Sequence, residues 1–197
     1  IVLRLIHARG EHGLSQSEAV LATGLKPPTI FRIFSSLEAE GFIELHAPDT
    51  GAAAGPAARL ERKGRRPSVY VARRAALAVI GVEFWAARVS IGVFDFQNGE
   101  LYSRVLPLKR GINAERVCAL IGGTAEAAVA ELGLDRARVL GLGLGAPGQV
   151  NVRSRTVSFY PRIPGLVDFP IAERLEQRLG LPVTVHNNCA VIALSEF

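Results

Sequence analysis

The 197-residue sequence contains no methionine, two cysteines and one tryptophan, and only 7% of its residues are aromatic. Cys118 and Cys189 lie far apart, so neither a disulfide framework nor a metal-ligand spacing is present. No signal peptide is visible in these residues, and no apolar run is long enough to span a bilayer. These absences argue against secreted and membrane-spanning classes and favour a reducing, cytoplasmic location.

Positive charge is concentrated in the first third of the chain. Residues 1–75 carry 11 Lys/Arg and 7 Asp/Glu, whereas residues 76–197 carry 12 and 11. Within the first part, residues 59–74 contain seven basic residues and only Glu61 as an acid. An isolated basic run is usually a solvated linker, but beside a DNA-binding motif it is at least as well explained by phosphate contact.

Such a motif is predicted over residues 13–43, which have the pattern of a helix, a tight turn, a second helix and a strand. Ser15 and Glu18 form a capping box, with Ala19, Val20 and Ala22 expected on the inner face of that helix. Gly24 permits the sharp turn. The pattern is that of a helix-turn-helix with a wing, so we expect residues 1–75 to form a winged helix-turn-helix domain that binds double-stranded DNA.

The second helix of this motif opens at Pro27-Pro28, and its apolar residues share one stripe: Ile30, Ile33, Phe34 and Leu37. The remaining positions are expected to face outward. Arg and Lys can contact guanine edges or phosphates, Thr can contact either, and Phe can contact a thymine methyl group. The candidate DNA contacts of this helix are Lys26, Pro27, Thr29, Phe31, Arg32 and Ser36.

Two further strands, 42–45 and 68–72, are expected to form the wing. The segment before the second strand adds Lys63, Arg65 and Arg66 to the candidate DNA contacts, because a Gly-Arg-Pro-like segment can lie in a narrow minor groove. Charge on a wing turn explains these residues equally well.

Residues 76–197 follow a different plan of three strands, helix, strand, helix, strand and helix, which predicts an α/β domain with a mixed sheet. Asn98-Gly99 between two strand patterns predicts a hairpin. Gly143, Gly145 and Gly148 spell GxGxxG, but residues 149–159 have the pattern of extended chain. No helix N-terminus is therefore expected to hold a pyrophosphate, and we do not expect a dinucleotide site.

Several blocks, in this order and spacing, resemble the ROK family of repressors, open reading frames and kinases, specifically its regulators. They are VIGVEFWAARVSIGVFDFQNGEL at 79–101, GLGLGAPGQVN at 141–151, PRIPGLVDFPIAERLEQRLGLPV at 161–183 and HNNCAVIALSE at 186–196. The resemblance implies an actin/hexokinase-like (ribonuclease H-like) fold, truncated here, a sugar or sugar-phosphate effector and a homodimer. We expect this sequence to be a fragment. Because the family's zinc-binding cluster would lie beyond Phe197, we expect no cofactor within these residues.

The sequence departs from the family's kinases at two places. Their glycine-rich phosphate turn is replaced by Glu83-Phe84-Trp85-Ala86, where backbone N–H groups cannot approach a phosphate closely. Their Asn-Asp pair, whose Asp is the general base, is replaced by Asn187-Asn188, and an amide cannot accept that proton. Both changes predict a non-catalytic relative.

By the same resemblance, Gly165, Asn187 and Asn188 would contact the sugar, with His186 in place of a usual Glu. An alternative role for the asparagine pair is to cap the helix that follows. The leading hypothesis is a sugar-responsive transcriptional regulator of carbohydrate metabolism genes, a repressor. The alternatives are an ATP-dependent sugar kinase carrying a DNA-binding module, and a constitutive DNA-binding protein whose second domain only dimerises.

Overall fold

The structure, a computed structural model, describes residues 1–46 and 68–195, with side chains to residue 193. The chain divides into two compact units, Ile1–Ala76 and Leu77–Phe197. Helices and sheets are mixed, so the predicted α/β class is confirmed. Among the described residues, no helix combines the length and the apolar character needed to cross a lipid bilayer.

The first unit packs three helices against a small antiparallel sheet. The helices are α1 (Val2–Ala8), α2 (Gln16–Thr23) and α3 (Pro27–Ala39). The strands are β1 (Leu14–Ser15), β2 (Ile43–Leu45) and β3 (Val69–Ala72), in the order β1-β3-β2. The core side chains come from all of these elements and include Ile6, Leu14, Ala19, Ile30, Phe34 and Ile43. The strand β1 was not predicted, because its two residues also lead into the cap of α2.

The predicted capping box of α2 is confirmed. The hydroxyl oxygen of Ser15 accepts a hydrogen bond from the backbone N–H of Glu18 at 3.3 Å, and the Glu18 carboxylate accepts from the Ser15 N–H at 2.8 Å. The predicted inner face is wrong at Ala22, which is exposed. The buried side of this short helix runs through Ala19 and the half-buried Thr23, one turn apart, and Ala22 lies outside it.

A five-stranded mixed sheet forms the centre of the second unit, in the order β11-β7-β4-β5-β6. Its antiparallel part is β4 (Ala78–Phe84), β5 (Arg88–Asp95) and β6 (Glu100–Pro107). Asn98, at φ 64°, makes the predicted turn between the last two. Two strands parallel to β4 complete the sheet: β7 (Val139–Ala146) and β11 (Val183–Asn187).

The helices α4 (Ala114–Glu131) and α5 (Ile171–Leu179) bury their apolar residues in the core of this unit, and α6 (Asn188–Ser195) follows β11. The predicted succession of strands and helices is confirmed. Between β7 and α5 the chain also forms a second, antiparallel sheet, of which residues 149–159 were predicted as extended chain and the last strand was not predicted. Its strands are β8 (Gln149–Asn151), β9 (Thr156–Phe159) and β10 (Val167–Phe169).

The small sheet is tied to β11 by a side-chain network. Arg155, in the turn between β8 and β9, pairs with Glu176 of α5 and also donates to the Val183 carbonyl at 3.1 Å. Glu176 accepts the Val183 N–H at 3.0 Å, and its bond to Arg155 lowers the pKa of its carboxyl. These contacts position the strand that ends in Asn187.

The cap of α2 can be tested by substitution. Ser15→Ala removes one half of the capping box and should lower the free energy of unfolding by about 1 kcal/mol. The hydrogen bonds from Ser15 lower the pKa of Glu18, and protonation of Glu18 in acid weakens these bonds in the wild type. The difference in unfolding free energy between the wild type and Ser15→Ala should therefore shrink as the pH falls. Ser17→Ala, at an exposed position of the same helix, is the matched control. Equal denaturation midpoints for both variants would contradict the assignment.

Candidate functional site

The helix α3 is held by its apolar stripe. Ile30 and Phe34 are buried, and Ile33 and Leu37 are half-buried, as the spacing predicts. The Phe34 ring meets the Tyr70 ring of β3 edge-on, with centroids 5.2 Å apart and planes at 79°. Because such aromatic pairs prefer this geometry, the contact fixes the helix on the sheet and determines which residues point away from it.

The opposite face of α3 is exposed and carries Pro28, Phe31, Arg32 and Ser35. These positions are three or four apart, so they lie side by side along the helix. The Phe31 side chain is 61% exposed, which is unusual for a large aromatic residue next to a core-facing stripe. Pro28 and Ser35 were not among the predicted candidates, although helical spacing from Phe31 could have identified both.

Charge along α3 is polarised. Lys26 and Arg32 lie at its N-terminal half, and neither forms an ion pair with any residue in 1–46 or 68–195. Glu38 and Glu40 lie at the other end. Cations without an acidic partner can contact an anionic surface. The N-terminal half of α3 is therefore the part of the helix suited to such a contact.

The other predicted residues of this helix occupy different environments. Pro27 is exposed in the first turn, as expected. The outward placement expected for Thr29 is wrong in part, because its side chain is half-buried beneath the first turn. Ser36 is exposed, but its hydroxyl donates to Glu40 at 2.6 Å. Ser35 therefore offers a freer hydroxyl than Ser36 does.

The basic cluster of residues 59–74 is only partly described. Lys63, Arg65 and Arg66 lie outside the described residues. Two other members form surface ion pairs, Arg73 with Glu44 at 3.9 Å and Arg74 with Glu11 at 3.4 Å. Exposed pairs of this kind contribute about 0–1 kcal/mol, so a stronger anionic partner could replace either acid.

In the second unit, Asn187 ends β11 and uses both ends of its amide. Its Nδ2 donates to the Gly148 carbonyl at 2.8 Å, and its Oδ1 accepts the N–H groups of Cys189 and Ala190 at 3.0 and 3.3 Å. Asn187 thus caps α6 and holds the turn after β7. Gly148 has φ 78°, and a Cβ there would lie 2.3 Å from the Phe159 carbonyl oxygen, so only glycine fits this turn.

Asn188 is placed differently. Its side chain is 1% exposed and packs over Gly145, where an added Cβ would lie 3.5 Å from that of Asn188. Its Oδ1 accepts the Cys189 N–H at 2.9 Å, while its buried Nδ2 has no hydrogen-bond partner among the described residues. A buried amide donor without a partner costs free energy, which makes this group a candidate for a ligand contact.

Gly165 lies in the turn between β9 and β10, at φ 78°. The preceding Pro164 carbonyl accepts the Ala114 N–H at 2.9 Å, so the turn lies at the start of α4. The same turn begins at Tyr160, which also abuts Gly148. Gly148 therefore connects the turn of Gly165 to Asn187.

The turn from β4 to β5 is a closed hairpin without glycine. Trp85 donates its backbone N–H to the Arg88 carbonyl at 2.9 Å and its indole N–H to the Glu83 carboxylate at 3.1 Å. With the Glu83 carboxylate engaged and Cβ atoms at every position, the turn leaves little room for a phosphate against its backbone.

A cavity of about 790 Å³ lies on the face of the large sheet that carries Glu83, His186 and Asn188. Its floor includes Gly81 and Gly143, which are paired in register, and the Phe94 ring lies over Gly81. His186 is exposed on this face. The cavity is apolar in most of its lining, with a few polar groups near the carboxyl ends of β4, β7 and β11, as is typical of ligand sites in α/β sheets.

No metal site accompanies these groups. Within residues 1–46 and 68–195, no three His, Cys, Asp or Glu side chains are placed to hold a metal ion. Both cysteines are free thiols, and burial raises the pKa of Cys118.

Residues 79–197 match the ROK family over 60% of the chain. The chain belongs to the ROK family. The xylose repressor of Caldicellulosiruptor bescii is 25% identical over 133 residues, 68% of this chain and 33% of its own length. The glucokinase of Streptomyces coelicolor is 30% identical over 118 residues, 60% of this chain and 35% of its own.

Two solved structures extend the comparison. A ROK family transcriptional regulator, a homologue of the E. coli MLC protein, shares the fold over 99% of this chain with a TM-score of 0.72 at 20% identity. The ROK hexokinase from Thermus thermophilus covers 61% with a TM-score of 0.53 at 34% identity. The chain spans 46% and 38% of these proteins, and about a third of the two curated relatives above.

The role of Asn187 as a bonded cap can be tested against a matched asparagine. Asn187→Asp keeps the acceptor for α6 but loses the donor to Gly148, and should lower the free energy of unfolding by about 1–2 kcal/mol. Asn113 caps α4 through its Oδ1 alone, by accepting the Arg116 N–H at 3.0 Å. Asn113→Asp should therefore be neutral or slightly stabilising. Equal effects of the two substitutions on thermal melting would contradict the Gly148 contact.

Proposed function

We propose that this ROK protein is a carbohydrate-responsive, DNA-binding transcriptional regulator, with repression as its output. The observation that carries the proposal is the outer face of α3, where Phe31 and Arg32 are exposed, together with Lys26 at the N-terminus of the helix; within residues 1–46 and 68–195 neither cation forms an ion pair. A rigidly held helix with such a face is suited to the major groove of DNA.

The first unit is proposed to be a winged helix-turn-helix. Helices α2 and α3 pack together across the turn at Gly24, which has φ 70°. β2 and β3 pair antiparallel, with Ile43 opposite Ala72, and would be the strands of the wing. Lys63, Arg65 and Arg66 belong to the segment between these strands and would add phosphate contacts.

The second unit is proposed to bind the effector, a sugar or sugar phosphate. Asn188 is the best-supported contact, because its Nδ2 is buried and has no hydrogen-bond partner in the described part of the chain. Asn187 and Gly165 would act beside it by shaping the turns around Gly148. Hydroxyl-rich ligands suit such a group, since a sugar oxygen can accept the amide proton.

The two activities would be coupled by differential binding. A sugar that favours one arrangement of a homodimer would change the spacing of its two α3 helices and hence their fit to adjacent half-sites. By linkage, DNA would change the sugar affinity by the same factor.

A sugar kinase is the second candidate, and the identity of 30–34% to a glucokinase and a hexokinase favours it. Two local features favour the regulator instead. The hairpin of Glu83 and Trp85 contains no glycine to approach a phosphate, and Asn188 occupies the place of the general base in the kinases that the chain resembles.

Salt dependence tests the DNA contact. Lys26→Gln should reduce the slope of log Kd against log salt by about one, because one phosphate contact is lost. The measurement is fluorescence anisotropy on a duplex enriched by the chain from a random library. Lys109→Gln, an exposed lysine of the second unit, should leave the slope unchanged. Absence of duplex binding at every salt concentration would contradict the proposed DNA binding.

A panel of sugars and sugar phosphates tests the effector. One member should change the duplex Kd by roughly 5- to 150-fold. Asn188→Asp should reduce that change, because it removes the free donor, whereas Asn151→Asp, at an exposed amide, should not. Neither the wild type nor Asn188→Asp should consume ATP when sugar is added. Sugar-dependent ADP release in a coupled assay would favour the kinase.

A further inference from the structure

Phe31 is an exposed aromatic side chain on a face that has no other large apolar residue. Its neighbours along α3 are Pro28 and Ser35, and it makes no ring contact with any described residue. The helix beneath it is fixed by the buried Ile30 and Phe34. The helix that carries the ring is therefore held in place, and Phe31 itself is 61% exposed.

The charges around Phe31 indicate what could cover it. Lys26 and Arg32 lie on the same half of the helix, and the acids Glu38 and Glu40 lie at the far end. A single exposed apolar ring on the half of the helix that carries both cations fits a surface that is anionic at its margins and apolar at one small point. The major groove of DNA has this character, because phosphates border it and the thymine C5-methyl group is its apolar feature.

We propose that Phe31 is the specificity-determining residue of α3 and contacts the methyl group of one thymine in each half-site. The inference rests on the proposed function, since it requires that α3 enters the major groove. Lys26 and Arg32 would contact phosphates on either side and supply affinity, while Phe31 would select the base.

Deoxyuridine substitution tests this contact, because it removes the C5-methyl group and leaves the base pair intact. In a duplex enriched by the full chain, each thymine is replaced in turn and the Kd is measured. One position per half-site should weaken wild-type binding about fourfold, the effect of one buried methyl group. With Phe31→Ala the penalty at that position should vanish, and with Phe31→Leu part of it should remain.

Leu21→Ala is the control, since Leu21 is 85% exposed on the neighbouring helix α2 and should leave the penalty unchanged. An unchanged penalty in both Phe31 variants would overturn the inference while leaving DNA binding intact. A change in oligomeric mass with Phe31→Ala and no change in the penalty would also overturn it and assign the ring to a protein interface. Failure to enrich any duplex would instead overturn the proposed function itself.

Discussion

The packing of α3 against β3 is the constraint on which the DNA-binding proposal depends. Phe34 and Tyr70 meet edge-on at 5.2 Å, and Ile30 is fully buried beside them. This packing leaves the helix one orientation, in which Phe31 and Arg32 point away from the core. Burial of a Phe side chain contributes about 1.5–3 kcal/mol, far more than an exposed ion pair does. The apolar stripe therefore sets the orientation of α3, and that orientation determines where its charged residues lie.

Residues 79–197 belong to the ROK family, and Asn187, Asn188 and Trp85 define the local chemistry of the proposed effector site. Asn187 bonds to Gly148 and caps α6, whereas Asn188 keeps a buried donor that has no partner among the residues that the structure describes. Trp85 closes the hairpin over Glu83. A buried amide thus lines the same cavity as a turn poorly shaped for a phosphate, which is the combination that the proposed sensor requires.

Local patterns in the sequence predicted the parts of the fold that short-range physics controls. The capping box of Ser15 and Glu18 needs residues only three apart, and the stripe of α3 needs only helical spacing. Thr29 lies four residues before Ile33, at the border of that stripe, so its half-burial also follows from helical spacing and was overlooked. The bond from Asn187 to Gly148 spans 39 residues. The sequence suggested both a cap and a sugar contact for that asparagine pair. Only the folded sheet, which brings Gly148 next to Asn187, shows that Asn187 has bonded partners on both sides of its amide.

The central claim is that the outer face of α3 meets DNA. The most direct measurement is a nuclear magnetic resonance titration of the isotopically labelled 197-residue chain with an enriched duplex. The account predicts that the largest shifts fall on Lys26, Pro28, Phe31, Arg32 and Ser35, with the buried Ile30 and Phe34 little changed. Shifts confined to residues 77–197, or none at duplex excess and low salt, would contradict it.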